Sequence, residues 1–95
     1  AESKIVILGD MFELGADSDA MHSTVIEQLG ALAPDKIILI GERFVAAAQK
    51  ENISCQAFLT TDAARDFLSE NKFRNSLILV KGSNAMRLDK LFEVL

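Results

Sequence analysis

Four short apolar runs, at residues 4–8, 36–40, 54–59 and 76–80, alternate with four amphipathic segments. That rhythm leaves few architectures open, because strands alternating with helices are the mark of βα units on a parallel sheet. The first, second and fourth runs are near-continuous in Ile, Val and Leu, as expected of strands with helices on both faces. The third, Ser54-Cys55-Gln56-Ala57-Phe58-Leu59, alternates and belongs nearer an edge. Right-handed crossovers on a doubly wound sheet allow the order third, second, first, fourth. The predicted fold is therefore α/β: a three-layer, Rossmann-like domain with a mainly parallel sheet of order 3-2-1-4.

The helices follow from caps and spacing. One starts with Asp17 or Ser18 as N-cap and runs to Leu32, with Met21, Val25, Leu29 and Leu32 on one face and Pro34 as its stop. A second spans Glu42 to Glu51, carries Phe44, Val45 and Ala48 inward, has Lys50 near its negative end, and is closed by Asn52. The third is capped by Thr60 or Thr61 and buries Ala64, Phe67 and Leu68. The fourth is expected from Ala85 to Val94, burying Leu88, Leu91 and Phe92.

Bulk properties exclude several function classes. Ninety-five residues make one domain at most, and a domain of this size buries only roughly two thirds of its unfolded surface. A net charge of −4 and a pI near 4.8 argue against a nucleic-acid partner, which calls for a basic patch. The longest apolar runs fall far short of the roughly 20 residues that span a bilayer, so no membrane partner is expected and the chain reads as cytoplasmic. Its lone Cys55 has no internal disulfide partner and reads as a small buried hydrophobe. The chain opens almost directly on a strand and stops on an apolar helix, which reads as an excised domain truncated at its N-terminal edge.

Two strand-to-loop junctions concentrate the polar chemistry. In the order 3-2-1-4 the first and fourth strands are neighbours, and ligands of open α/β sheets bind beyond the carboxyl ends of such strands. The first strand ends at Gly9-Asp10 and enters Met11-Phe12-Glu13-Leu14-Gly15; the fourth runs into Lys81-Gly82-Ser83-Asn84. Gly9 permits close backbone approach, and Asp10 supplies a carboxylate for an ammonium, a metal-bound water or a hydroxyl, or else forms a common Gly-Asp turn. Glu13 either joins it or points to solvent. Met11, Phe12 and Leu14 either pack back on the sheet or offer an apolar wall. Lys81, the Ser83 hydroxyl and the amides from Ser83 to Met86 form an anion site if a helix begins there; otherwise Ser83 or Asn84 is a cap and Lys81 a solvated charge or a partner of Asp10. Arg87 lies where it could assist. His22, without a second histidine, a cysteine or a spaced acid, reads as structural or surface rather than catalytic or metal-binding. Neither GxGxxG nor GxxxxGK[ST] occurs, so the chain holds no nucleotide-phosphate loop of its own.

The strings Ile7-Leu8-Gly9-Asp10-Met11-Phe12-Glu13-Leu14-Gly15, then His22, then Leu39-Ile40-Gly41-Glu42, and Val80-Lys81-Gly82-Ser83-Asn84-Ala85-Met86-Arg87-Leu88 closely resemble the C-terminal domain of the Mur ligases, in the branch that adds D-alanyl-D-alanine. The similarity covers nearly the whole chain. It implies a role in peptidoglycan synthesis: an enzyme that uses ATP and magnesium to activate the carboxylate of UDP-MurNAc-tripeptide as an acyl phosphate, which the amine of D-Ala-D-Ala attacks. It also implies that ATP and magnesium are bound mainly by other domains, that this domain contacts a central ATP-binding domain and presents the dipeptide, and that alone it is a monomer without catalytic residues and inactive. The family's early Asp-x-Tyr-Asn-Ala-Asn-Pro-like segment is missing. On this reading Lys81, Gly82, Ser83 and Asn84 lie near the dipeptide carboxylate, Asp10 and Glu13 orient the amine or the loop, Gly9, Met11 and Gly15 shape the loop, and no metal site is expected.

Two other classes compete. A receiver-like signalling domain also places an acid after its first strand and a lysine after its last, but it needs an acidic pair and a central phosphoacceptor aspartate. Here a single Asp10 and Leu59-Thr60-Thr61 stand at those places. A docking module without activity would use the apolar loop Met11 to Leu14.

Overall fold

The computed structural model describes residues 2–12 and 15–95. Four parallel strands, β1 (Ser3–Gly9), β2 (Lys36–Ile40), β3 (Gln56–Phe58) and β4 (Ser76–Lys81), form one sheet of order β3-β2-β1-β4, the order that the alternation of segments predicts. The helices α1 (Ser18–Leu32), α2 (Glu42–Glu51) and α3 (Thr61–Glu70) connect them. β3 is shorter than predicted and lies at an edge, as its alternating sequence requires. In β1, Ile5 and Ile7 face one side and Val6 and Leu8 the other, so both core layers meet on this strand. Ile5, Ile7, Ile38 and Ile40 pack against Ala64 and Leu68 of α3 and against Leu88, Leu91 and Val94; Val6, Leu8 and Leu39 pack against α1 and α2.

Local signals explain the helix ends. The Thr60 hydroxyl accepts from the amide of Ala63 at 3.1 Å and caps α3. Asn52 closes α2 in the left-handed region, its amide returning to the carbonyl of Ala48. Ala33 does the same for α1, immediately before Pro34.

Three expectations need correction. The inward face of α1 is His22, Ser23, Ile26 and Leu29, whereas Met21 and Leu32 are exposed. β4 is covered on one face only: Leu77 and Leu79 are 61% and 51% exposed, because α1 and α2 lie over β1 and β2 while the crossover α3 lies on the opposite side. The expected fourth α-helix is instead two short 3-10 turns, Asn84–Met86 and Leu88–Leu91, broken by Arg87 in the left-handed region at φ 53°. That reversal drives Leu88 against the strand-end glycines. A Cβ on Gly9 would meet Leu88 at 3.1 Å, and one on Gly82 would meet Leu88 at 2.8 Å and the Gly9 backbone at 3.0 Å. Phe92, expected inside, is 63% exposed; Leu88, Leu91 and Val94 supply the burial instead.

Candidate functional site

The loops after β1 and β4 do meet. The Ser83 amide donates to the Asp10 carbonyl at 3.2 Å, and the Phe12 amide donates to Ser83 Oγ at 2.8 Å. The sheet order makes this meeting possible, since β1 and β4 are paired through Leu8 and Lys81.

Asp10 is 3% exposed, and its carboxylate accepts from the amides of Arg43 and Phe44, each at 2.9 Å. These are orphan donors in the first turn of α2, whose N-cap, Gly41, has no side chain with which to satisfy them. Asp10 thus caps a helix from a neighbouring strand. The carboxylate fills the space beside Gly41, where a Cβ would lie 2.3 to 2.5 Å from its atoms; Gly41 itself sits at φ 113°. The Gly-Asp pair is therefore more than a turn, and Asp10 makes no ion pair with Lys81 among the described residues.

His22 is fully buried. Its Nε2 accepts from the Met11 amide at 3.0 Å, and its Nδ1 lies 2.6 Å from the Ser18 carbonyl, so Nδ1 carries the proton. Its ring packs edge-on against Phe44, with centroids 4.5 Å apart. Of the structural and surface roles read from sequence, burial selects the structural one.

Arg43 was missed by sequence reasoning. Its Nη1 donates to the Met11 carbonyl at 2.9 Å, and its guanidinium lies over the Phe12 ring at 5.1 Å. The only hint in sequence is a cation in the first turn of a helix, where the dipole disfavours it. With this contact the backbone of the loop is accounted for from the Asp10 amide, which donates to Ile40, through the Phe12 amide. Met11 packs against the core beneath α1 and α2 and Phe12 is half-buried against Arg43, which disfavours them as a docking wall; Glu13 and Leu14 lie outside the described residues.

What remains open to a ligand is on the β4 side. Lys81 is exposed and has no ion-pair partner among the described residues. Ser83 Oγ has a lone pair occupied by Phe12, and among the described residues its proton has no acceptor. Lys81 to Ser83 form a ridge between two hollows: an apolar trough of about 450 Å³ walled by Val25, Leu29, Leu32 and Leu79, and a shallower one of about 530 Å³ bordered by Arg87 and Phe92. Asn84 is exposed on the second side. A three-residue 3-10 turn replaces the expected helix N-terminus, so the anion affinity expected of helix amides falls away, leaving the ammonium and the hydroxyl. Arg87 is paired with Asp89 at 3.0 Å, which raises the guanidinium and lowers the carboxyl from their ordinary values. Cys55 is half-buried, and burial pushes its thiol up, as expected of an unreactive hydrophobe.

This geometry has close relatives. A protein of Borreliella burgdorferi named UDP-N-acetylmuramoyl-tripeptide–D-alanyl-D-alanine ligase is 30% identical over 94 residues, spanning 96% of this chain and 20% of that protein. One of the same name from Treponema pallidum is 29% identical over 96 residues, with 96% and 21% covered. A crystal structure of MurF from Acinetobacter baumannii superposes with a TM-score of 0.80 at 26% identity, over 98% of this chain and 22% of that one. The chain is homologous to MurF ligases. It matches their C-terminal part and has its α/β fold. No family model matches the chain. The chain spans about a fifth of the length of its curated MurF relatives. Those relatives are ligases of peptidoglycan synthesis. No helix among the described residues is long and apolar enough to cross a membrane.

Proposed function

We propose that residues 1–95 are a single domain, the C-terminal domain of a cytoplasmic ligase that joins D-alanyl-D-alanine to UDP-MurNAc-tripeptide, and that this domain presents the dipeptide. The observation that carries the reading is the pairing of an exposed Lys81 with a Ser83 hydroxyl whose lone pair is engaged, the Lys81 ammonium having no ion-pair partner and the Ser83 proton no acceptor among the described residues. A zwitterionic dipeptide needs a cation and a donor for its carboxylate, and these two groups supply both. Gly82 lets the two strand ends approach, and Asn84 borders the same ridge. Asp10, its oxygens committed to α2, orients the loop rather than the amine. Glu13, outside the described residues, keeps its assignment to the amine or the loop.

ATP and magnesium do not fit the described residues. The sequence has no phosphate loop, and each oxygen of the buried carboxylate at the β1 end already accepts from a helix amide. We assign the nucleotide to the remaining four fifths of the enzyme, reached through a contact with its central domain. A MurF ligase structure from Thermotoga maritima, with ADP bound, shares the fold at a TM-score of 0.67 and 20% identity. The isolated domain is then monomeric and inactive.

The test is an NMR titration of the labelled chain with D-Ala-D-Ala, with L-Ala-L-Ala as control. Selective amide shifts at residues 9–12 and 82–87, lost in the Lys81→Ala/Ser83→Ala double variant, are expected. Equal shifts for both dipeptides, or none at millimolar ligand, would remove the assignment.

A further inference from the structure

We infer that Arg43 is a positioning residue that strengthens the Ser83 hydroxyl as a donor to an anionic ligand, acting through the single peptide unit between Met11 and Phe12. Two bonds carry this. Arg43 Nη1 donates to the Met11 carbonyl at 2.9 Å; the amide of that same peptide unit, on Phe12, donates to Ser83 Oγ at 2.8 Å, and the Ser83 proton has no acceptor among the described residues. A guanidinium at one end of a hydrogen-bonded chain polarises each following link in the same sense, so the terminal O–H becomes a stronger donor. The chain is held rigid from the side. His22 fixes the Met11 amide, the Phe12 ring lies against the guanidinium, and the Ser83 amide is tied to Asp10.

The location of Arg43 argues that it is not there for the helix. It occupies the first turn of α2, where a cation opposes the dipole, and it has no carboxylate ion-pair partner among the described residues. Its half-buried side chain instead reaches the loop that holds Ser83.

The inference deepens the proposed dipeptide site and rests on that reading for its ligand, so the experiment uses two probes, acetate and D-Ala-D-Ala, on the labelled 95-residue chain. Arg43→Gln keeps a donor near the Met11 carbonyl but removes the charge. It is expected to weaken carboxylate binding about fivefold, the difference between a charge-assisted and a neutral hydrogen bond. It should also shift the Phe12 amide proton upfield in the absence of ligand. Arg43→Lys, which keeps the charge, should restore most of the affinity. Arg43→Gln should have no further effect once Ser83 is alanine, a non-additivity that a merely structural role would not produce.

Additive losses in the double variant overturn the inference, as does an unmoved Phe12 proton or the absence of any acetate-dependent shift at Ser83. Acetate binding that obeys the cycle, with D-Ala-D-Ala binding no better than L-Ala-L-Ala, leaves the Arg43 assignment standing and overturns the dipeptide reading alone.

Discussion

The ends of β1 and β4 lie side by side, and each carries charge beside glycine, yet they use it in opposite ways. At the β1 end buried Asp10 spends its carboxylate on backbone amides of α2, and buried His22 of α1 accepts from the Met11 amide and donates to the Ser18 carbonyl. At the β4 end Lys81 is exposed and unpaired among the described residues, and Ser83 keeps a donor free. A charged residue at a strand's carboxyl end is therefore ambiguous in a parallel sheet. Such an end also faces the N-terminus of a neighbouring helix, and that helix competes with any ligand for the carboxylate. The winner here is decided by Gly41, which leaves α2 without a cap of its own.

The division is broken most directly at Asp10. Asp10→Ala strands two buried amides that now receive charge-assisted bonds, and we expect a loss of about 3 kcal/mol in denaturant unfolding. Asp10→Asn retains one acceptor and should lose about half as much. Gly41→Ala puts a methyl group into the carboxylate at an unfavourable φ and should cost about 2 kcal/mol. Because removing the carboxylate clears that space, the double variant Asp10→Ala/Gly41→Ala should fall well short of the sum. Simple additivity would mean that Asp10 is not seated against α2.

On the β4 side the ranking reverses. Ser83→Ala removes the acceptor for Phe12 and should cost about 1 kcal/mol. Lys81→Ala, on an exposed cation, should stay within about 0.5 kcal/mol of the parent. Both should nevertheless weaken the dipeptide-dependent NMR shifts more than any stability-matched core variant does. A Lys81→Ala chain that unfolds early, or that binds dipeptide as the parent does, would erase the contrast between the two ends.

Sequence patterning reached the sheet order because apolar runs alternating with amphipathic segments mark parallel βα units, and handed crossovers then leave few arrangements. It reached the meeting of the two loops for the same reason. The face of α1 escaped it because Met21 and Leu32 lie outside the core and Val25, though packed against it, walls an open trough with Leu32, while a histidine with two internal partners turns inward. Polar burial of that kind depends on contacts 4 and 11 residues away, and periodicity carries no trace of them. The last helix was misread because Leu88 fits over Gly9 and Gly82 only if Arg87 reverses the chain, a tertiary demand that overrides helical spacing. Asp10 was found as a residue, but not its capping of α2; Arg43 was not found, since its partners lie on another loop.

The smallest effects come from two exposed carboxyls that shift in opposite directions. Asp89 is held below its ordinary value first by its hydrogen bond from Arg87. The folded chain therefore binds that proton less readily than the unfolded chain, and the pair adds stability that is full above the ordinary carboxyl value and is lost as pH falls through the lowered one. Glu51 is raised first by a side-chain hydrogen bond with Glu27, with burial and their like charge adding to it and Lys50 opposing. Here the folded chain holds the proton more tightly, so stability is reduced at neutral pH and recovers as pH falls through the raised value. Denaturant midpoints at pH 7 should drop for Asp89→Asn and rise for Glu51→Gln, and both differences should shrink on acidification. Added salt should diminish both, since the groups lie in solvent. If the two substitutions moved the midpoint in the same direction at pH 7, the contact between α1 and α2 at Glu27 and Glu51, or the turn between Arg87 and Asp89, would have to be built differently.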